Sequence, residues 1–148
     1  PTYSDLELAD RQNQDLRAER AALDRAGERR RERALLVRYP DARVHDRERD
    51  DALANIDQAA QVARQYLAAL KIDRQRLDQE LEFYRGDRAM APAALREKLE
   101  ENEAGVRAQS KFIQSMEEER HRLALRFAKE RTQLEPLWQA VAAKRRRS

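Results

Sequence analysis

LANIDQAAQVARQYLAALKIDRQRLDQELEFY, the stretch from Leu53 to Tyr84, decides the fold. Within it Leu53, Ile56, Ala60, Ala63, Leu67, Leu70, Arg74, Leu77, Leu81 and Tyr84 follow one another in alternating steps of three and four. A repeat averaging about 3.5 residues keeps one stripe of a helix turned toward a partner helix. A second stripe follows in the chain: Leu95, Leu99, Asn102, Val106, Gln109, Ile113, Met116, Arg120, Leu123, Phe127, Glu130, Leu134 and Leu137. Two such stripes with a short connection predict an all-α, rod-like protein built on a long antiparallel helical hairpin. With a further helix ahead of the hairpin, the expectation is a three-helix coiled-coil bundle.

The turn residues place the boundaries. Ser4 followed by Asp5 and Glu7 reads as an N-cap with an acidic first turn. The first helix is expected to end near Tyr39, where Pro40 stops it and Asp41 caps the next segment. The second helix then runs from Ala42 or Asp46 to Arg85. Gly86, Asp87 and Pro92 form the short loop at 86–92, with Pro92 suited to the first turn of the third helix. Pro136 is expected to end or kink that helix near Leu134. One domain results, divided into a first helix over 1–39, a coiled-coil hairpin over 40–137 and a basic tail over 138–148. The first helix has the weaker stripe: Leu6, Ala9, Leu16, Leu23 and Val37 share their line with Asn13, Arg20, Gly27 and Arg30. It either lies loosely on the hairpin or pairs with another chain.

Composition narrows the function classes. Charged residues are 40% of the chain and aromatics 5%, a balance that suits exposed helices burying a narrow seam rather than a wide core. Disorder is the competing reading of so polar a chain, but the sustained stripe excludes it over 46–137 and leaves it open at the two ends. The absence of cysteine excludes disulfides, thiol catalysis and Cys-based zinc sites. No run of about 18 apolar residues is present to span a bilayer. No signal peptide is read, and a start at Pro1 accords with a processed or trimmed fragment. The acid-first pairs Glu7 and Arg11, Glu103 and Arg107, and Glu118 and Arg122 are expected to link at i,i+4, contributing about 0.3 kcal/mol each.

Basic residues collect around the expected Pro40 end. Arg29, Arg30, Arg31, Arg33, Arg43 and Arg47 form a candidate interaction tip, joined by Lys144, Arg145, Arg146 and Arg147 if the tail returns there. Such an excess can hold phosphates, an anionic surface or an acidic protein. The plainer reading pairs Arg30 and Arg33 with Asp50 and Asp51 and leaves the tail solvated. No aromatic residues interleave the basic run, which argues against a platform for single strands. On the seam, Arg74, Asn102 and Gln109 are expected to meet near mid-helix, either buried and fixing register or partly exposed, with the arginine stem on the seam and its head in water.

Catalytic, metal and cofactor sites find no support. His45 and His121 stand apart and are expected to be solvated or ion-paired, since a metal needs three or four convergent ligands. No glycine-rich phosphate loop and no nucleophile elbow occur. Phe83, Tyr84 and Met90 are expected to close one end of the bundle, or else to present an apolar tip to a partner, and Trp138 is expected to close the other end. Arg85-Gly86-Asp87 matches an integrin-type adhesion tripeptide, though Gly86 already has a role in the turn.

The run Leu35-Leu36-Val37-Arg38-Tyr39-Pro40-Asp41, with His45-Asp46, Ala52-Leu53, Glu82-Phe83-Tyr84-Arg85-Gly86 and Leu134 to Trp138, resembles a pattern in uncharacterised bacterial envelope proteins. The resemblance spans roughly residues 35–138 and implies a helical protein of the periplasm or exterior. It supplies no catalytic or ligand residues. The expected function is therefore a non-enzymatic coiled-coil scaffold or protein-interaction module, self-associating as a homodimer through its first helix. Electrostatic binding of nucleic acid through the basic tip and a holdase-type chaperone are the alternatives.

Overall fold

Ser4 opens the first helix with a reciprocal cap. Its Oγ accepts from the Glu7 N–H at 3.2 Å while Glu7 Oε2 accepts from the Ser4 N–H at 3.0 Å, so two otherwise orphaned donors are satisfied. The computed structural model describes residues 4–148, with α1 at Asp5–Arg38, α2 at Ala42–Glu82 and α3 at Ala93–Arg146. Positions 1–3 of the expected first helix lie outside the described residues. A short 3-10 turn at Arg88–Met90 precedes α3. Among the described residues there is no strand, and the protein is an all-α helical bundle. The chain divides into two units. A terminal unit holds the chain up to Asp46 together with Lys129–Ser148, and a hairpin unit holds Arg47–Ala128.

In the hairpin unit α2 and α3 run antiparallel. Going down α2, Asp57 meets Arg120 at 2.8 Å, Arg64 meets Glu117 at 3.4 Å and Arg74 meets Glu103 at 3.2 Å. The stripe positions lie between the helices: Ala60, Ala63, Leu81, Leu95, Leu99, Asn102 and Phe127 are buried, and Leu53, Ile56, Leu67, Leu70, Leu77, Val106, Ile113, Met116 and Leu123 are partly buried. Arg120 departs from the stripe and is exposed, because its guanidinium reaches over to the Asp57 carboxylate. Gly105 packs closely on α2, where a Cβ would stand 3.1 Å from Leu70 Cδ1.

Helix α2 stops at Glu82 rather than Arg85. The Gly86 N–H donates to Leu81 O at 3.1 Å and the Arg85 N–H to Glu82 O at 3.0 Å, the paired bonds of a Schellman cap. The left-handed residue that such a cap requires is Arg85, at φ 59°, with Gly86 following at φ 72°. Asp87 then accepts from the Ala89 N–H at 3.0 Å, and the Pro92 carbonyl accepts the first bonds of α3 from Leu95 and Arg96. Leu81, Ala91, Leu95 and Leu99 close this end of the hairpin with Leu77 and Tyr84 against them. Phe83 and Met90 do not help to close it; both are largely exposed, since the cap ends α2 with Phe83 on its outer side.

The terminal unit corrects one further expectation. Helix α3 passes through Pro136 and continues to Arg146, so residues 138–146 are helical rather than a tail. Proline inside a helix costs about 3 kcal/mol. Burial of Leu134 before it, and of parts of Leu137, Trp138 and Val141 after it, holds the helix through the break. Lys144, Arg145 and Arg146 lie in its last turn, where cations complement the helix dipole. His45 is fully buried, and of its two expected states, solvated or ion-paired, it takes the paired one, with Nε2 3.2 Å from Glu130 Oε1.

Candidate interaction surface

The α1–α2 turn is assembled around that histidine. Asp41 caps α2, its Oδ1 accepting from the Val44 N–H at 3.0 Å, and the first turn of α2 carries His45 inward. The imidazole meets the Tyr39 ring edge-on at a centroid distance of 4.7 Å and the Trp138 ring at 6.1 Å. Its Nε2 lies 3.2 Å from Glu130 Oε1, so its partner is a seam carboxylate on α3. Trp138 Nε1 donates to the Tyr39 carbonyl at 2.8 Å. Arg131 donates to Asp46 Oδ1 at 2.7 Å and to Glu135 at 3.1 Å, and its guanidinium carbon sits 5.1 Å from the centroid of the Trp138 ring. Nothing in the spacing of Tyr39, His45, Glu130 and Trp138 marks them as a cluster. Only the return of α3 past its proline brings Trp138 to the turn.

Past this anchor α1 is nearly bare. No residue of it is buried, and Leu6 is 79% exposed, Leu16 60%, Leu23 70% and Val37 84%. Glu28, Arg31, Glu32 and Leu35 line a groove against Glu130, Gln133, Pro136 and Leu137 of α3. At about 100° per residue, Leu23 and Val37 lie roughly 120° and 160° around the helix from Leu35. They therefore point away from α3 within this unit.

The basic candidates stand as follows. Arg29, Arg30, Arg31, Arg33, Arg43 and the terminal Lys144, Arg145, Arg146 and Arg147 are exposed in the terminal unit. Arg47, also exposed, belongs to the hairpin unit. Asp50 accepts from its neighbour Arg49 at 3.0 Å.

The polar seam residues of the hairpin unit do not meet as a single group. Asn102 is buried and donates through Nδ2 to Leu70 O at 2.8 Å, while among the described residues nothing donates to its Oδ1. Arg74 turns instead to Asp78 at 2.8 Å and to Glu103, and Gln109 stays partly buried two helical turns along α3 from Asn102. Glu103 also accepts two bonds from Arg88, at 2.8 and 2.6 Å. The Arg88 hydrogen bonds, followed by that of Arg74, hold its carboxyl down at about 2. The expected partner Arg107 is bypassed, because a loop arginine presents both donors to both oxygens. Arg122 likewise takes Glu119, at 2.6 Å, in place of Glu118.

Among the described residues no three histidine or acidic side chains converge on a possible metal position, and no helix is long and apolar enough to cross a membrane. No protein family, no curated protein and no solved structure matches the chain.

Proposed function

We propose that this chain is a non-enzymatic helical scaffold that works as a protein-interaction module and associates with itself through α1. One observation carries the reading: a helix of 34 residues, anchored at its C-terminal end beside Tyr39, leaves Leu6, Leu16, Leu23 and Val37 in solvent. Most helical stability in proteins comes from burying an apolar stripe against a partner. Covering a leucine side chain fully is worth about 1.5–3 kcal/mol. The stripe of α1 is therefore the surface on which a partner gains most. The hairpin unit, with its own closed seam, serves as a stiff spacer in this reading.

Sedimentation equilibrium over a wide concentration range tests it. The mass rises toward twice that of the single chain, and Leu16→Glu with Leu23→Glu returns it to the monomer without loss of hairpin helicity. A single-chain mass at every concentration overturns self-association.

A second reading draws on the exposed last turn of α3, which adds Lys144, Arg145 and Arg146 to the arginines of α1 in one unit. Binding of nucleic acid there would weaken steeply with salt and with deletion of residues 144–148. Absence of any anisotropy change with DNA or RNA at low salt removes that reading.

A further inference from the structure

We infer that α1 pairs with α1 of a second copy in the antiparallel sense, its acidic half against the other copy's basic half. The inference rests on the self-association proposed above and adds its direction. Over residues 5–21 the helix carries Asp5, Glu7, Asp10, Asp15 and Glu19 against Arg11, Arg17 and Arg20, an excess of negative charge. Over residues 22–38 the excess reverses: six arginines, four of them within 29–33, face only Asp24, Glu28 and Glu32. A parallel pair would set acidic half on acidic half and basic half on basic half. An antiparallel pair sets each on its opposite, and charges flanking a helical seam select partner orientation in this way.

The stripe accommodates the same direction. Placing Leu6 beside Val37 of the second copy brings Ala9 to Ala34 and Leu16 to Gly27. The larger side chain of that last pair then meets the residue with none. In this register Asp10 flanks Arg31 and Arg17 flanks Asp24, each acid beside a base. Leu6, Leu16 and Val37 are all solvent-exposed in the single chain, so the pairing needs no prior unfolding of α1.

The chain has no cysteine, so single thiols can report direction. Ala9→Cys and Ala34→Cys are made separately, and disulfide-linked dimer is quantified for each alone and for an equimolar mixture, beside the sedimentation mass of each. The expected result is a mixed link, joining one variant to the other, at least about tenfold more abundant than either like pair and diminishing as salt screens the flanking charges. Like pairs in excess, in a protein that still sediments as a dimer, overturn the antiparallel direction and leave self-association standing. A single-chain mass with no link above the denatured control overturns both.

Discussion

Trp138 donates its indole N–H to the carbonyl of Tyr39 at 2.8 Å, joining α3 to the residue that ends α1. The Tyr39 N–H is already taken by Leu35 O at 2.8 Å, so this residue is held by its own helix on one side and by α3 on the other. Trp138→Phe keeps a ring beside His45 and deletes the donor. The expected loss is about 1–2 kcal/mol, the worth of one hydrogen bond plus a carbonyl left without that donor. It should appear as a fall in Tm of roughly 2–8 °C. Circular dichroism follows it, since the substitution removes the chain's single tryptophan. A variant melting with the parent would show that ring packing alone anchors the turn.

Periodicity revealed the hairpin because the 3.5-residue repeat is a property of the chain itself. Leu53 through Tyr84 and Leu95 through Phe127 carry it largely unbroken, and the antiparallel contacts from Asp57–Arg120 to Arg74–Glu103 follow from one loop. What escaped the sequence is long-range. Spacing alone assigns His45 no particular partner, and only the fold places Tyr39, Glu130 and Trp138 around it. Pro136 reads as a stop because local propensity opposes helix there, while burial of Leu134 and the Trp138 bond outweigh it. The expected Glu103–Arg107 pair failed for a related reason: i,i+4 spacing places the two near each other, but Arg88 from the loop offers better geometry.

Glu103 gives the pH dependence of the hairpin. Its carboxyl is lowered from 4.5 to about 2, first by the bonds from Arg88 and then by Arg74. A carboxylate with a depressed pKa in the folded state contributes its stability in full above the ordinary value. That contribution is lost as pH falls through the folded one. The window therefore lies between pH 4.5 and about 2. Arg88→Ala should move the titration midpoint upward, stopping short of 4.5 because Arg74 remains. The side-chain carboxyl carbon shift of Glu103 reads this directly. An unmoved midpoint would assign the depression to Arg74.

Arg85 occupies a backbone conformation that suits glycine. At φ 59° it supplies the left-handed residue of the α2 cap, one position ahead of Gly86. That region costs an L side chain roughly 1–2 kcal/mol, while glycine carries an added unfolded-state entropy. Arg85→Gly should therefore stabilise the hairpin by about 0.5–1 kcal/mol, read as a higher denaturant midpoint at unchanged m-value. A lower midpoint would mean that the arginine side chain makes a contribution exceeding the strain.

Asn102 is a polar residue buried on the seam between α2 and α3. Its Nδ2 bond to Leu70 O, at 2.8 Å, ties α3 to one peptide of α2, yet its Oδ1 is buried with no donor among the described residues. A buried acceptor left unmade costs about 1–3 kcal/mol, more than one such bond returns. Open grooves flank the residue, one lined by Tyr66, Leu70 and Leu77 and the other by Lys71 and Val106, so a leucine has room there. Asn102→Leu should thus raise Tm by a few degrees. It should also relax the alignment, because an apolar side chain tolerates a shifted helix where an amide bonded to one carbonyl does not. Spin labels at Leu67 and Val106 would report that as a broader distance distribution. A lower Tm with an unchanged distribution would make Asn102 a source of stability rather than of register.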